Sequence, residues 1–254
     1  MTKRGVERAG GARTGHGRPD TGVGTLDRAV SILAAVEAGA HRFTKIMTAT
    51  GLPRGTAHRL IRALEEHGFL AHYEGFGYRL GPELLRLANR AMRELPLRDI
   101  AHPVLQRLAG MTGESAQLYV RAGDARVCVD AIESANELRT IVPVGASLPL
   151  TAGSAAKVFL AFDPNPQSLI RRAADPERFA REVQLVRTRG WASSTDERQR
   201  GVGSVSAPIV GEYDIVLGVV SVSGPSARMG RISARRYAPA VTESAREIER
   251  ALGR

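Results

Sequence analysis

The segment from Pro53 to Gly68 carries basic and polar side chains at a spacing that would place them together on one side of a helix. The apolar residues that share the opposite stripe are Ala57, Leu60, Ile61 and Leu64. The residues predicted to face outward, or to lie in the first turn, are Arg54, Gly55, Thr56, His58, Arg59 and Arg62. Guanidinium groups pair with phosphates and can donate two hydrogen bonds to guanine, so this face suits a phosphate-lined groove. A solvated, charged helix surface is the alternative.

A second pattern with possible chemistry is Ser154-Ala155-Ala156-Lys157, which reproduces the Ser-x-x-Lys nucleophile motif of penicillin-recognising acyl transferases. Those enzymes also need a Ser-x-Asn and a Lys-Thr-Gly further along the chain. The Ser-x-Asn at Ser134–Asn136 precedes the motif, and Lys-Thr-Gly is absent. An acyl-transfer enzyme is therefore only an alternative, and we predict no catalytic residues.

Composition favours a polyanionic partner and gives no sign of a cofactor. The 254 residues carry a formal net charge of +10, although an arginine-rich composition typical of a GC-rich genome would also produce this excess. The single cysteine, Cys128, lies in an apolar run and is expected to be a buried structural thiol. No phosphate-binding glycine loop or cluster of metal ligands is present, so we predict neither cofactor nor metal. No segment approaches the roughly 18 apolar residues of a membrane span, and we expect a cytoplasmic location.

The N-terminal third has helix-capping and turn residues at the positions expected for a winged helix-turn-helix. Residues 1–22 lack hydrophobic periodicity and are predicted to form a disordered basic arm. Thr25 is predicted to cap a first helix that ends at Gly39, with Leu26, Ala29, Val30, Leu33 and Val36 facing inward. A short helix at 44–50, with Ile46 and Met47 inward, and the helix after Pro53 follow. Strand-like runs at 69–73 and 78–80 then form a hairpin, the wing. This places a DNA-binding domain at 23–81.

The remainder predicts an α+β domain at 97–254, preceded by an amphipathic connector helix at 82–96. Its strands are expected at 116–121, 126–132, 138–144, 204–210 and 216–223. Its helices are expected at 97–111, 153–162, 167–174, 176–189 and 235–252. Turn signals between successive strands indicate one antiparallel sheet flanked by helices.

Several of these stretches together resemble the IclR-type bacterial transcriptional regulators, over a match from about Val23 to Leu252. In the first domain they are residues 26–33 and 50–60, and in the second they are residues 144–157, 189–192, 201–208 and 220–225. The resemblance implies a winged helix-turn-helix followed by a GAF/profilin-like effector-binding domain. Residues 113–119 with 126–129 resemble an actinobacterial branch associated with amino-acid metabolism, leucine biosynthesis included.

The resemblance also implies the site residues. The predicted DNA-binding set is Arg54, Thr56, His58, Arg59 and Arg62, with Arg28, Arg42, Lys45 and Arg79 as further phosphate contacts. The predicted effector-binding set is Ser154, Ala155, Ser194, Ser204, Ser221 and Ser223. Gly55 stands where the family commonly has Ser, Ser204 where some relatives have Cys, and Ser194 where some have Asp. Backbone N–H groups at a helix start, together with hydroxyls, can receive a carboxylate without a buried counter-charge.

The function implied is a ligand-responsive DNA-binding regulator, expected to act as a repressor. Its expected partners are double-stranded DNA with a pseudo-palindromic operator and a small carboxylate-bearing effector, an organic acid or amino-acid-related metabolite. A homodimer or homotetramer is expected, with no membrane association. Besides the acyl-transfer enzyme, a ligand-free architectural DNA-binding protein remains an alternative.

Overall fold

The computed structural model describes residues 24–93, 96–230 and 234–253, which divide into two compact units between Ala91 and Met92. The predicted basic arm at 1–22 lies outside the described residues. The elements of the first unit are α1 (Gly24–Glu37), α2 (Phe43–Thr50), α3 (Arg54–Glu66), β1 (Leu70–Tyr73) and β2 (Gly77–Leu80). Helix α4 (Pro82–Arg93) follows, and the division between the units falls within it.

The second unit continues with ten further elements and two very short helices. They are α5 (Pro96–Thr112), β3 (Ser115–Ala122), β4 (Ala125–Ile132), β5 (Ser147–Pro149), α6 (Ser154–Ala161), α7 (Gln167–Ile170), α8 (Pro176–Arg189), β6 (Ala192–Thr195), β7 (Val202–Val210), β8 (Val216–Pro225), α9 (Ser226–Met229) and α10 (Ala234–Ala251), with a 3-10 turn at Glu212–Asp214 before β8. No helix within the described ranges is long and apolar enough to cross a membrane.

The first unit is a three-helix core with an antiparallel hairpin, as predicted. All four residues of the predicted α3 stripe are buried, and Leu60, Ile61 and Leu64 share a core with Ile46 of α2 and Leu70 of β1. Hairpin strands β1 and β2 pair from Leu70 opposite Leu80 to Tyr73 opposite Gly77. The hydrophobic stripe of α3 therefore fixes which of its faces is left to solvent.

The start and the buried stripe of α1 differ from the prediction. Thr25 lies inside the helix rather than at its cap, because the helix begins at Gly24. Leu26 is 57% exposed, whereas Ile32 is fully buried and was not predicted to face inward. The reason is tertiary, since α2, α3 and β2 pack against α1 and enclose Ile32, Ala35 and Val36 near its C-terminal half. Pro53 likewise precedes α3 instead of occupying its first turn.

The second unit is an antiparallel six-stranded sheet between two layers of helices, which confirms the predicted α+β class. Its strand order is β5-β4-β3-β8-β7-β6. Helices α5 and α10 pack on one face, where Leu118, Val205 and Val220 contribute to the core. Helices α6 and α8 cover the other face, where Tyr119, Cys128 and Val219 point.

One strand prediction is wrong, and two short strands were not predicted. Residues 138–144 form no strand, because Pro143 lacks an amide hydrogen and the segment crosses beside β4 with Leu138, Ile141 and Val144 exposed. The edge strand is instead β5, paired with β4 from Ala125 to Val127. The opposite edge strand, β6, was not predicted. It follows an α8 helix that ends at Gly190, and its four residues are too few to show a period.

Candidate functional site

The exposed face of α3 is basic. Arg54, His58, Arg59 and Arg62 are exposed, and Thr56 is half-buried near the start of the helix. No side chain caps the N-terminus of α3, so its first backbone N–H groups are open to an acceptor. Arg62 forms an exposed i,i+4 ion pair with Glu66, Nη2 to Oε1 at 3.3 Å, which is weak enough to give way to a phosphate. The ring of His58 contacts Phe43 edge to face, with centroids 6.2 Å apart.

A second basic surface lies in the same unit, between the start of α2 and the tip of the hairpin. A cleft of about 400 Å³ is lined by Arg42, Lys45, Arg79, His41 and Phe76, with three glycines. Three of the residues predicted to meet phosphate thus line one cleft. The fourth, Arg28, is exposed on α1 and does not line it.

The hairpin is held against the turn between α1 and α2 by the backbone and the ring of His41. Tyr78 N–H donates to the carbonyl of His41 at 2.8 Å, and Nδ1 of the His41 ring lies 3.1 Å from the carbonyl oxygen of Tyr78. Gly77 has φ +73°, and a Cβ there would lie 2.1 Å from the His41 carbonyl oxygen. The sequence of the turn therefore sets the position of the wing relative to α2.

In the second unit, a chain of serine hydroxyls runs from the start of α6 across the sheet. Ser154 Oγ lies 2.6 Å from Ser204 Oγ and 2.7 Å from Ser206 Oγ. Ser194 continues the chain at 2.9 Å from Ser204, and Ser206 donates to Ser221 at 2.9 Å. Each hydroxyl can both donate and accept, so a polar ligand atom can enter the chain without leaving a buried group unpaired.

The serine chain borders a cavity of about 30 Å³. Its lining includes all six residues of the predicted effector set: Ser154, Ala155, Ser194, Ser204, Ser221 and Ser223. The start of α6 contributes backbone N–H groups that its N-cap residue does not satisfy, since Gly153 has no side chain. Ser223 instead donates to Gln117 Oε1 at 3.1 Å. The structure thus brings together residues that are up to 69 positions apart in the chain.

Strand β4 adds a buried guanidinium to this cavity. Arg126 is 3% exposed, and its Nη1 donates to the carbonyls of Pro149 and Ala152 at 2.5 and 3.1 Å. Its Cζ lies 5.5 Å from the centre of the Tyr119 ring. Burial, and to a smaller extent the charge of Arg198, which also lines the cavity, lower the pKa of Arg126 to about 10, against an opposing effect of Tyr119. At neutral pH the group remains a cation.

Lys157 of α6 is fully buried but does not point to the cavity. Its Nζ donates to Glu182, to Glu197 Oε1 at 2.5 Å and to the Ser193 carbonyl at 2.8 Å. Glu197 also accepts a hydrogen bond from Gly153 N–H at 3.1 Å through its other oxygen. Although burial favours the neutral form of Glu182, its bonds to Lys157 and Arg178 outweigh burial and lower its pKa. This charge cluster holds the start of α6 against β6 and α8.

Comparisons with known proteins agree over nearly the whole chain. The family model of the IclR helix-turn-helix domain matches residues 25–72, and that of the bacterial transcriptional regulator IclR C-terminal domain matches residues 89–250. The chain belongs to the IclR family of bacterial transcriptional regulators. An acyl-transfer enzyme and a ligand-free architectural DNA-binding protein are not favoured, because IclR proteins are transcriptional regulators.

Individual IclR relatives share both domains. The glycerol operon regulatory protein of Streptomyces griseus is 32% identical over 90% of this chain and 96% of its own. The transcriptional repressor IclR of Escherichia coli K12 is 25% identical over 92% of each chain. A crystal structure of an IclR homologue from Microbacterium hydrocarbonoxydans, complexed with 4-hydroxybenzoate, has a TM-score of 0.73 at 23% identity over 90% of this chain and 99% of its own. These relatives do not test the amino-acid-metabolism branch, which stays a prediction.

In this IclR protein the Ser-x-x-Lys motif does not form a nucleophile and base. Ser154 hydrogen-bonds to Ser204 and Ser206, whereas Lys157 bonds to two carboxylates and a carbonyl. Both residues are buried because the eight residues of α6 are all buried, so the motif serves packing and the cavity wall. Within the described ranges, no group of His, Cys, Asp and Glu side chains could hold a metal ion.

Sequence reasoning missed Tyr119, Arg126 and Arg198 among the residues that line the cavity, and Ser206 in the serine chain beside it. The signal for Ser206 was present, because Ser204 and Ser206 alternate on β7 as Ser221 and Ser223 do on β8. The signal for Arg126 was its position two residues before Cys128, which was expected to be buried. Side chains two residues apart on a strand point to the same face, so Arg126 should point inward as well. Burial raises the pKa of the Cys128 thiol to about 12, in agreement with its predicted structural role.

Proposed function

We propose that this IclR protein is a ligand-responsive repressor that acts in the cytoplasm. It binds operator DNA through α3 and through the cleft lined by Arg42, Lys45 and Arg79, here called the wing cleft. It receives a small carboxylate-bearing effector in the serine-lined cavity. The observation that carries the proposal is that both predicted residue sets gather into surfaces suited to their roles. The basic groups lie on the exposed face of α3 and in the cleft of Arg42, Lys45 and Arg79 in the first unit, and the hydroxyls line one cavity of the second unit.

DNA binding is proposed to use two kinds of contact. The arginines of α3 are on the face opposite a buried stripe, so the helix can enter a major groove with Arg59 and Arg62 facing the bases. The cleft of Arg42, Lys45 and Arg79 is suited to the sugar-phosphate backbone, which positions the protein without reading sequence. Glu65 and Glu66 at the far end of α3 favour insertion by its N-terminal half, because phosphates repel them.

The effector is proposed to be small. The cavity volume of about 30 Å³ compares with roughly 10–15 Å³ needed to hold one water by this measure, so about two or three waters, or an acid of two or three carbons, fit without rearrangement. A larger acid, such as the 4-hydroxybenzoate of the solved homologue, fits only if the lining of the cavity rearranges. Effector binding changes DNA affinity only if it favours one of two arrangements, with a typical coupling of about 1–3 kcal/mol.

A homodimer or homotetramer on a pseudo-palindromic operator is proposed as the active assembly. Helix α4 supports this, because Leu85 is 69% and Leu87 40% exposed. Apolar side chains concentrated on one exposed helix are typical of an association surface. Two copies related by a twofold axis would present two copies of α3 to two half-sites.

The DNA assignment is tested by replacing Arg59 and Arg62 together with Ala. Each lost contact to a guanine is expected to weaken operator binding by at least about fivefold, since a good bidentate pair contributes about 1–3 kcal/mol. The measurement is fluorescence anisotropy with DNA from upstream of the protein's own gene, at two salt concentrations. The control is Arg107→Ala with Arg172→Ala, which removes the same charge from exposed positions of the second unit.

The double variant is expected to keep its ligand-induced thermal stabilisation, because its cavity is untouched. The ligand screen uses thermal unfolding against small acids and neutral metabolites, followed by DNA binding in the presence of each hit. Loss of both DNA binding and ligand stabilisation in the double variant would contradict the division of roles. A wild-type protein that binds DNA but responds to no compound would refute the effector function.

A further inference from the structure

Arg126 is a buried cation whose charge no acidic side chain balances. Throughout residues 24–93, 96–230 and 234–253, no carboxylate forms an ion pair with it, and its Nε–H is buried without a hydrogen-bond partner. Its Nη1 donates only to the carbonyls of Pro149 and Ala152. A buried charge and a buried unpaired donor are both costly, and proteins keep them mainly where a ligand or a function requires them.

The surroundings of Arg126 raise the positive potential further. Arg198 lines the same cavity, and its charge lowers the pKa of Arg126 after the larger effect of burial. By contrast, the nearby cation Lys157 is balanced by Glu182 and Glu197. The fold therefore neutralises one buried cation beside α6 and leaves the other, which borders the cavity, without an acid.

The start of α6 is built so that the guanidinium can lie against it. Gly153 has φ +93°, and a Cβ at this position would be 3.0 Å from Arg126 Nη2. A side chain there would therefore crowd the guanidinium as well as strain the backbone. The uncapped N–H groups of α6 and the hydroxyls of Ser154 and Ser204 then face the same space as the cation.

We propose that Arg126 is the residue that binds the effector's carboxylate, and that the serine chain binds a hydroxyl or carbonyl group on the same molecule. The inference rests on the proposed effector function of the cavity and specifies its ligand class as small hydroxy or oxo acids. The Nε–H and Nη2–H groups form one edge of the guanidinium fork, which matches the two oxygens of a carboxylate, and the lining must open at the buried Nε–H for both oxygens to bind. Ser194 and Ser204 then receive the second polar group. Arg126 is thus the specificity-determining residue, and acids are separated from their neutral analogues by its charge.

The test compares acids with their uncharged amides on the full chain. The probes are acetate, glycolate, lactate and 4-hydroxybenzoate, each beside acetamide, glycolamide, lactamide or 4-hydroxybenzamide. Affinity is measured by calorimetry for the wild type, for Arg126→Gln and for Arg172→Gln. Arg172 is the matched control, since it is a half-exposed arginine of the same unit that pairs with Asp124 at 2.8 Å. We expect wild type and R172Q to bind at least one acid about 10- to 100-fold more tightly than its amide, and R126Q to lose this preference.

A second measurement covers the case in which R126Q does not fold. In the wild-type chain labelled with ¹⁵N-arginine, binding of the acid is expected to shift a solvent-protected Nε–H resonance, and the amide is expected to leave it in place. Equal binding of acids and amides by wild type, an acid preference that survives in R126Q, or an unshifted Nε–H resonance on saturation with the acid would each overturn the assignment.

Failure of this inference and failure of the effector function are distinguishable. If only neutral compounds bind and alter DNA affinity, the cavity is an effector site but Arg126 does not select for charge. If no compound of either kind binds or changes DNA affinity, both the inference and the effector function are refuted.

Discussion

Replacing Lys157 with Met removes the cation from a buried cluster and leaves two carboxylates facing each other. Lys157 Nζ is fully buried, while the side chains of Glu182 and Glu197 keep 17% exposure. Breaking a buried ion pair costs about 3–5 kcal/mol of folding stability. We expect the lower end, about 3 kcal/mol, because water reaches the two carboxylates. For a unit of this size the melting temperature is expected to fall by roughly 6–12 °C.

The assay is thermal and urea unfolding followed by the fluorescence of Trp191, the single tryptophan of the chain. Its ring packs under Arg189 in the same unit as Lys157, with the guanidinium carbon 4.7 Å from the ring centre. Lys45→Met is the control, because that lysine is exposed in the other unit. Adding Glu182→Gln and Glu197→Gln to K157M is expected to recover part of the loss, since no uncompensated charge then remains buried.

The pKa of Glu182 determines how the stability difference between wild type and K157M changes with pH. In wild type the pKa of Glu182 is lowered from its usual 4.5, so its contribution to stability is present above pH 4.5 and is lost as pH falls below it. Without Lys157 two of the influences that lower this pKa are lost, so the pKa of Glu182 is expected to be higher in K157M than in wild type. The difference in stability between wild type and K157M should therefore shrink as the pH is lowered and Glu182 of the variant becomes protonated first. A difference below about 1 kcal/mol at pH 7, or one that grows on acidification, would refute this account of the cluster.

Three further predictions concern other parts of the chain. Gly77→Ala is expected to destabilise the wing and weaken DNA binding, because its Cβ would lie 2.1 Å from the His41 carbonyl oxygen and the residue has a positive φ. Circular dichroism would measure the loss of stability and fluorescence anisotropy the loss of affinity. An unchanged affinity for DNA would contradict the prediction. Gly55→Ser is expected to tighten DNA binding relative to Gly55→Ala, since nothing lies within 4 Å of an added Cβ and the hydroxyl adds a phosphate donor; equal affinities of the two variants would argue against the contact. Cys128 should react with iodoacetamide only after unfolding, because it is buried and its pKa is raised to about 12. Rapid labelling of the folded protein at pH 8 would contradict the structural role of this thiol.

Helices were predictable from the sequence because their determinants are local. The stripe of Ala57, Leu60, Ile61 and Leu64 was enough to orient α3, and Gly51 marked the end of α2. Strands depend on partners that the sequence does not name. Residues 138–144 are as apolar as β4, yet Pro143 and the absence of a paired neighbour leave them as a loop beside it.

The serine-lined cavity also depends on both local and long-range information. The resemblance to the IclR family supplied its serines, although the sequence alone would place Ser221 and Ser223 on a solvent-facing edge. They are buried because β8 is a central strand, between β3 and β7, a neighbourhood that only the complete sheet defines.

Arg126 marks where reasoning from the sequence fell one step short. Its neighbour two positions along, Cys128, was correctly expected to be buried, and a period of two then places Arg126 on the same face. Whether such an inward arginine meets an acid or remains unbalanced depends on α6, β5 and residues 196–201, which come later in the chain. In our proposal its charge, together with that of Arg198, makes a cavity lined by serine hydroxyls favour anions, so these arginines bear more on the ligand class than the serines do.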